Sequence, residues 1–181
     1  GTAFLGPEIV AEAKGLGYRI TLFNRGKTNP EMFPDLEKLR GDRDGDLKAL
    51  EGRSWDVVVD TSGYFPKQVR ASAGLLAKSA KLYVFVSSIS VFDDTSRPGI
   101  DESSPVGKLP AGTDPDSLTT ITGGSYGPLK ALCEEAAEKA MPGRVLNVRP
   151  GLIVGPGDRS DRFTYWPVRV ARGGAVLAPG T

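Results

Sequence analysis

The chain has 181 residues, long enough for one domain with its own core. Its 23 Lys and Arg against 22 Asp and Glu leave a formal charge of +1, which gives no electrostatic footprint for nucleic acid or an anionic membrane. The lack of histidine excludes Ser-His-Asp and Cys-His catalysis and His-ligated metals, and the lone Cys133 excludes an internal disulfide and suits a reducing, cytoplasmic compartment.

The chain opens on a glycine-bearing turn, Gly1 to Gly6, followed by a helical pattern through Ile9, Val10 and Ala13 that stops at Gly15-Leu16-Gly17. An apolar run, Tyr18 to Phe23, predicts a strand that ends in Asn24-Arg25-Gly26. Turn, helix and strand form the second half of a βαβ unit, and a turn of this kind needs a strand to launch it. The expectation is therefore a chain that lacks its first strand. Leu36–Leu39 reads as a short strand closed by Gly41-Asp42-Arg43, and Asp46–Leu50 as one helical turn. Trp55–Asp60 reads as a strand buried on both faces, ending in Thr61-Ser62-Gly63-Tyr64. Gln68–Ala77 is helical, with Val69, Ala73, Leu75 and Leu76 as its apolar stripe. Leu82–Val86 is a strand with Ser87-Ser88-Ile89-Ser90 at its C-terminal end.

From Asp93 to Gly124 the periodicity stops, and so long a segment is either a flap over a site or disordered. A helix then runs through Tyr126, Lys130, Cys133 and Ala140 to Pro142-Gly143, with Pro128 expected in its first turn. Cys133 reads as a small buried apolar residue on this helix. Arg144–Val148 is a strand ending at Arg149-Pro150-Gly151, and Phe163–Ala171 a further helix. Strands alternating with helices predict a doubly wound parallel sheet, and no apolar run is long enough to span a bilayer.

Tyr126 and Lys130 lie four apart, on one face of their helix. A phenol titrates near ~10, and a fixed ammonium one turn away favours the phenolate, so the pair can move a proton near neutral pH. An isolated Tyr-x-x-x-Lys is more often a solvated helix face. Here the company decides. Asn24-Arg25, Thr61-Ser62-Gly63, Ser87-Ser88 and Arg149-Pro150 all fall at the C-terminal ends of strands, where open α/β sheets bind ligands.

These motifs resemble the extended, epimerase/dehydratase-like branch of the short-chain dehydrogenase/reductase superfamily, over nearly the whole chain. Gly1-Thr2-Ala3-Phe4-Leu5-Gly6 is similar to the tail of its Gly-Gly-Thr-Gly-Phe-Leu-Gly turn, with Ala3 in place of a glycine. Ser87-Ser88-Ile89-Ser90-Val91-Phe92 is similar to its Ser-Ser-x-x-Val-Tyr strand end, and Tyr126–Lys130 to its Tyr-x-x-x-Lys helix. Arg149–Asp158 resembles its Arg-Pro…Gly-Pro-Gly-Asp stretch, and Asp101-Glu102 with Pro105 its Asp-Glu-x-x-Pro loop.

The resemblance implies a Rossmann-type, NAD(P)-binding domain, incomplete at both ends, with the substrate-binding part starting after about residue 155. It implies a Ser88–Tyr126–Lys130 set: Ser88 holds the reacting oxygen, Tyr126 exchanges its proton, and Lys130 also binds the nicotinamide ribose. It places the dinucleotide on Thr2, Phe4, Leu5, Gly6, Asn24, Arg25, Asp42, Thr61, Ser62, Gly63, Tyr126, Lys130 and Pro150, with Asp42 facing the adenine. The partner it implies is a small hydroxyl or carbonyl substrate, of the sugar-nucleotide kind among others. It leaves a homodimer open and calls for no metal. Arg25 stands where an NAD-preferring site has an acid and can clasp a 2′-phosphate, so NADP is expected ahead of NAD. No acid follows Ser88, which disfavours dehydration. Reductase and epimerase remain equal readings. The same fold also serves as a non-catalytic dinucleotide sensor or RNA-associated scaffold, against which the retained Ser88, Tyr126 and Lys130 speak. In the strand order 3-2-1-4-5-6, no strand of residues 1–181 should lie between Arg19–Phe23 and Asp56–Asp60.

Overall fold

Residues 2–177 are described in the computed structural model, and they divide into two compact units, one ending at Gly151 and one starting at Leu152. In the first, helix α1 (Leu5–Gly15) is followed by β1 (Thr21–Asn24), β2 (Glu37–Arg40) and a 3₁₀ turn at Lys48–Leu50. Next come β3 (Trp55–Asp60), α2 (Pro66–Leu76), β4 (Ala80–Val86), a 3₁₀ turn at Ile89–Val91, α3 (Gly123–Ala140) and β5 (Val145–Val148). All strand pairings are parallel, with α2 and α3 as the crossovers of the three-stranded sheet and a loop joining β1 to β2. β1 pairs with β2, and β3, β4 and β5 form a second sheet in that order. No ladder among the described residues joins β1 to β3, so the pairings follow the expected order on either side of that point.

The core lies on one face of the three-stranded sheet. Tyr83 and Phe85 of β4 pack with Val69, Ala73 and Leu76 of α2 and with Cys133 and Ala137 of α3. Burying a side chain of the size of Phe85 contributes ~1.5–3 kcal/mol, so this face holds the unit together. Val57 and Val59 of β3, on the opposite face, are 44% and 43% exposed. The expectation that β3 is buried on both faces is thus corrected: α2 and α3 cover only the side of Val58 and Asp60.

Four further readings need correction. The strand expected from Tyr18 begins at Thr21, because Tyr18 is exposed and its amide closes the end of α1 on the Ala13 carbonyl. Leu75 is on the rim of the α2 stripe, and the buried polar positions Gln68 and Ser72 replace it. The helix at Gln68 begins two residues earlier, with Pro66 at its N-terminus. Pro128 lies in the second turn of α3, since that helix starts at Gly123. The carbonyl it leaves without an amide partner is that of Gly124, in the exposed first turn.

The segment from Asp93 to Thr122 has no helix, and backbone and side-chain contacts hold it in place. Gly107 donates to Val91 O at 2.8 Å, Lys67 Nζ donates to Asp116 O at 3.0 Å, and Arg70 pairs with Asp116. These contacts speak against the disordered alternative, and the flap remains the expectation for this segment. In the second unit, α4 (Tyr165–Ala171) carries an edge-to-face pair, Tyr165 and Trp166. Among the described residues no helix is long and apolar enough to cross a membrane.

Candidate functional site

Two close approaches bring the expected catalytic residues to one end of the three-stranded sheet. At the first, a Cβ on Gly127 would fall inside the carbonyl oxygen of Ser90 and 3.0 Å from its carbonyl carbon. Only glycine lets α3 come this near to the Ile89–Val91 turn, and the contact joins the residue after Tyr126 to the turn that Ser88 caps. Ser88 caps that turn: its Oγ accepts from Ser90 N at 3.1 Å and donates to Ser90 Oγ at 3.1 Å. Pro150 O accepts from Ile89 N at 3.0 Å, so the Arg149-Pro150 strand end is tied to the same turn.

At the second approach, Lys130 spans the ends of β3 and β4. Its Nζ donates to Gly63 O at 2.8 Å and to Val86 O at 2.7 Å, and lies 4.1 Å from the centre of the Phe85 ring. The side chain is 3% exposed, and a buried cation needs such partners. Burial pulls its pKa down to about 8, while Asp60 and Glu134 favour the charged form, so the ammonium predominates at neutral pH.

Thr61, Ser62 and Gly63 form the turn beneath Lys130, and Asp60 organises that turn. Its buried carboxylate accepts from both terminal nitrogens of Arg43 at 2.7 Å, from Ser62 N at 3.0 Å and from Tyr83 Oη at 2.7 Å. Burial pushes the Asp60 carboxyl up, and the Arg43 guanidinium more than offsets it, holding the group below the usual carboxylate range. A Cβ on Gly63 would meet Phe85 and Val69 and come within 3.2 Å of Asp60 Oδ2. Sequence reasoning missed Asp60 and Arg43. The available signal was an acid ending an apolar strand, a charge that burial obliges to find a cation.

Tyr64 was also missed. Its ring is 5.5 Å from the Lys130 ammonium, and burial first and Tyr126 second raise its phenol's pKa, so two phenols are electrostatic neighbours here. Arg149 binds Glu134 through Nε and Nη2, donates to Glu102 O at 3.2 Å and stacks over Phe92, which pins the flap to α3. Its part is therefore structural.

The remaining predicted residues gather at the ends of α1, β1 and β2. Thr2 is buried, with Oγ1 donating to Thr28 O at 2.6 Å and its carbonyl accepting from Asn29 Nδ2 at 2.8 Å. Phe4 takes φ 35°, ψ −97°, a strained conformation for a residue with a Cβ, and leads into Leu5 and the buried Gly6. α1 begins there without a side-chain cap. Asn24 Oδ1 accepts from Gly26 N at 2.8 Å and Arg40 Nη1 at 2.6 Å, while its Nδ2 is buried without a partner. Arg25 is exposed beside it. Asp42 closes a tight loop with Asp46 through two backbone hydrogen bonds of 2.9 and 2.7 Å, and Arg43 leaves the tip of that loop toward Asp60. No direct contact joins these groups to Ser88 or Tyr126.

No family model and no curated protein matches the chain. Among solved structures it is similar to MoeE5 in complex with UDP-glucose and NAD, at 18% identity and a TM-score of 0.56. The match covers 93% of this chain and 57% of that one, so this chain spans little more than half that protein's length. At this identity the likeness shows the fold: an α/β, Rossmann-type arrangement of parallel strands.

Proposed function

We propose that this chain is the dinucleotide-binding part of an NAD(P)-dependent reductase or epimerase of the extended short-chain dehydrogenase/reductase type. The observation that carries the proposal is the packing of Gly127, the neighbour of Tyr126, on Ser90 of the turn that Ser88 caps, together with the Lys130 hydrogen bond to Val86 O, which supports reading Ser88, Tyr126 and Lys130 as one site. A dinucleotide fits the residues present. The start of α1 has no side-chain cap to compete with a pyrophosphate, although Gly6 N is already taken by Ala3 O and Pro7 has no N–H, and the buried Asn24 Nδ2 is an orphaned donor at the adenosine end. The strain at Phe4 falls on the turn that would meet the phosphates, as stored strain often does at ligand sites.

When bound, the nicotinamide supplies or takes a hydride. The chain's own residues handle position and proton. Ser88 Oγ holds the reacting oxygen by a hydrogen bond, exchanging its present partner Ser90 for the substrate. Tyr126 gives or takes the proton at that oxygen. Lys130 holds its charge at the floor of the site on two carbonyls, with its third N–H left for the ribose. NADP ahead of NAD follows from Arg25, with Arg40 behind it on Asn24. The substrate we favour is a sugar nucleotide, supported by the UDP-glucose bound to the structural neighbour.

Tyr126→Phe in the full-length protein tests the proposal. Turnover of carbonyl or hydroxyl substrates should fall ~10²–10⁴-fold with cofactor affinity unchanged. Unchanged turnover would remove Tyr126 from the chemistry and the proposal with it.

A further inference from the structure

The charged groups near Lys130 include a buried pair that starts in the loop after β2, outside the three-stranded sheet. Arg43, at the tip of the Asp42–Asp46 loop, reaches across from the β1–β2 side and grips Asp60 at the end of β3 through two hydrogen bonds of 2.7 Å. Asp60 holds the amide of Ser62, and Arg43 Nη1 also reaches Ser62 Oγ at 3.3 Å. The next residue, Gly63, is squeezed between Asp60 and Phe85, and its carbonyl seats the Lys130 ammonium. Tyr83 and Ser72 complete the cage: Tyr83 Oη donates to Asp60, and Ser72 Oγ lies 3.1 Å from that phenol. Side-chain exposures of 18% for Arg43 and 8% for Asp60 take the pair out of reach of ordinary screening.

We propose that the Arg43–Asp60 pair is a positioning device for Lys130, fixing the carbonyl seat of its ammonium and the charge around it, and linking that seat to the loop that carries Asp42. The proposal rests on the reading of Lys130 as a working residue of the site. A pair that merely tied two loops together would have no need to touch the turn under the lysine. The groups that face Lys130 are Asp60 from β3, Arg43 from the loop after β2, Cys133 and Glu134 from α3, and the Tyr64 and Phe85 rings. Asp60 favours its charged form and Arg43 opposes it.

The test follows the Lys130 titration by NMR of ¹³Cε-labelled lysine in the full-length protein, assigned through Lys130→Ala. Asp60→Asn leaves Arg43 facing the ammonium and should move the titration down. Arg43→Gln leaves Asp60 and should move it up, each by on the order of one pH unit. Both should lower kcat by about tenfold or more with substrate KM little changed, as loss of alignment does. Loosening without a positioning role would send both titrations upward toward the ordinary lysine value, and that result, or no shift in either, overturns the proposal. If Arg43→Gln does not fold, Arg43→Lys keeps the charge and should leave the titration where it is while Asp60→Asn still lowers it; upward movement of both is again the refuting result. If Lys130→Ala leaves turnover intact, the catalytic reading fails by itself, whatever the titrations show.

Discussion

Gly127→Ala is the sharpest perturbation of the proposed site, because it adds one methyl group at the contact that places α3. That methyl would overlap the Ser90 carbonyl, and α3 and the Ile89–Val91 turn would have to separate by more than about 1 Å to reach ordinary contact. Forced overpacking of this kind costs ~1–3 kcal/mol, and the better helix propensity of alanine returns about 1 kcal/mol of it. A net loss of up to ~2 kcal/mol is therefore expected in urea melts. The effect on chemistry should be larger than that on stability. Tyr126 and Lys130 move with the helix while Ser88 stays with the turn, and a 1 Å misplacement can cost ~10²-fold in rate. Gly124→Ala is the matched control: a Cβ there meets nothing within 4 Å, so it should be neutral or stabilise by up to ~1 kcal/mol, with turnover unchanged. If the Gly127 variant matches the Gly124 variant in both melts and turnover, the close approach does not place the site.

Three other outcomes are expected. Arg25→Ala should weaken NADP binding by about 10–100-fold and leave NAD binding unaltered, as loss of a charge-assisted contact to a 2′-phosphate would; equal losses for both cofactors would take Arg25 out of the discrimination. Cys133 is fully buried, and burial pushes its thiol up to about 12, so alkylation at pH 8 should proceed only through unfolding and rapid labelling of native protein would contradict the packing described. For Lys130 the folded-state pKa of about 8 lies below the ordinary 10.5, so the folded state binds its proton less tightly than the unfolded chain does. Wild-type stability should therefore gain on Lys130→Met as pH rises from about 8 toward 10.5, by on the order of 3 kcal/mol in all, and a difference that shrinks over that window would reverse the sign of the argument.

What could be read from the chain follows from how local each signal is. β4 and α3 were legible because their apolar patterns are long and their caps lie close in sequence: Ser87-Ser88 after β4, Met141 to Gly143 after α3. β3 was legible as a strand but not in its burial, since a run of valines looks the same whether one face or two are covered. Pro128 was misplaced by the same locality: a proline signals a first turn, and the true start at Gly123 depends on Ser125 Oγ accepting from Thr122 N at 2.9 Å. The Arg43–Asp60 pair was out of reach of any window, because its members are 17 residues apart, one in the loop after β2 and one at the end of β3. In the sequence, Arg43 is only the end of a turn.

The four-residue spacing of Tyr126 and Lys130 fixes how these two side chains stand to each other, and nothing more. Any solvated helix with the same spacing would present them equally well. What distinguishes this helix is how its face is anchored, and both anchors are backbone groups that no residue pattern displays. The Ser90 carbonyl admits a glycine and nothing larger at position 127. The Gly63 and Val86 carbonyls draw a cation into the end of the sheet at position 130. A lysine on a solvated face would keep its ammonium in water, whereas this one gives up nearly all of its hydration for two hydrogen bonds and an aromatic ring. Desolvating a charge is costly, and a surface ion pair would have served stability at less cost. Such a placement makes sense where the charge is needed beside Tyr126, which is why the seat of Lys130, more than the Tyr-x-x-x-Lys spacing, supports the functional reading.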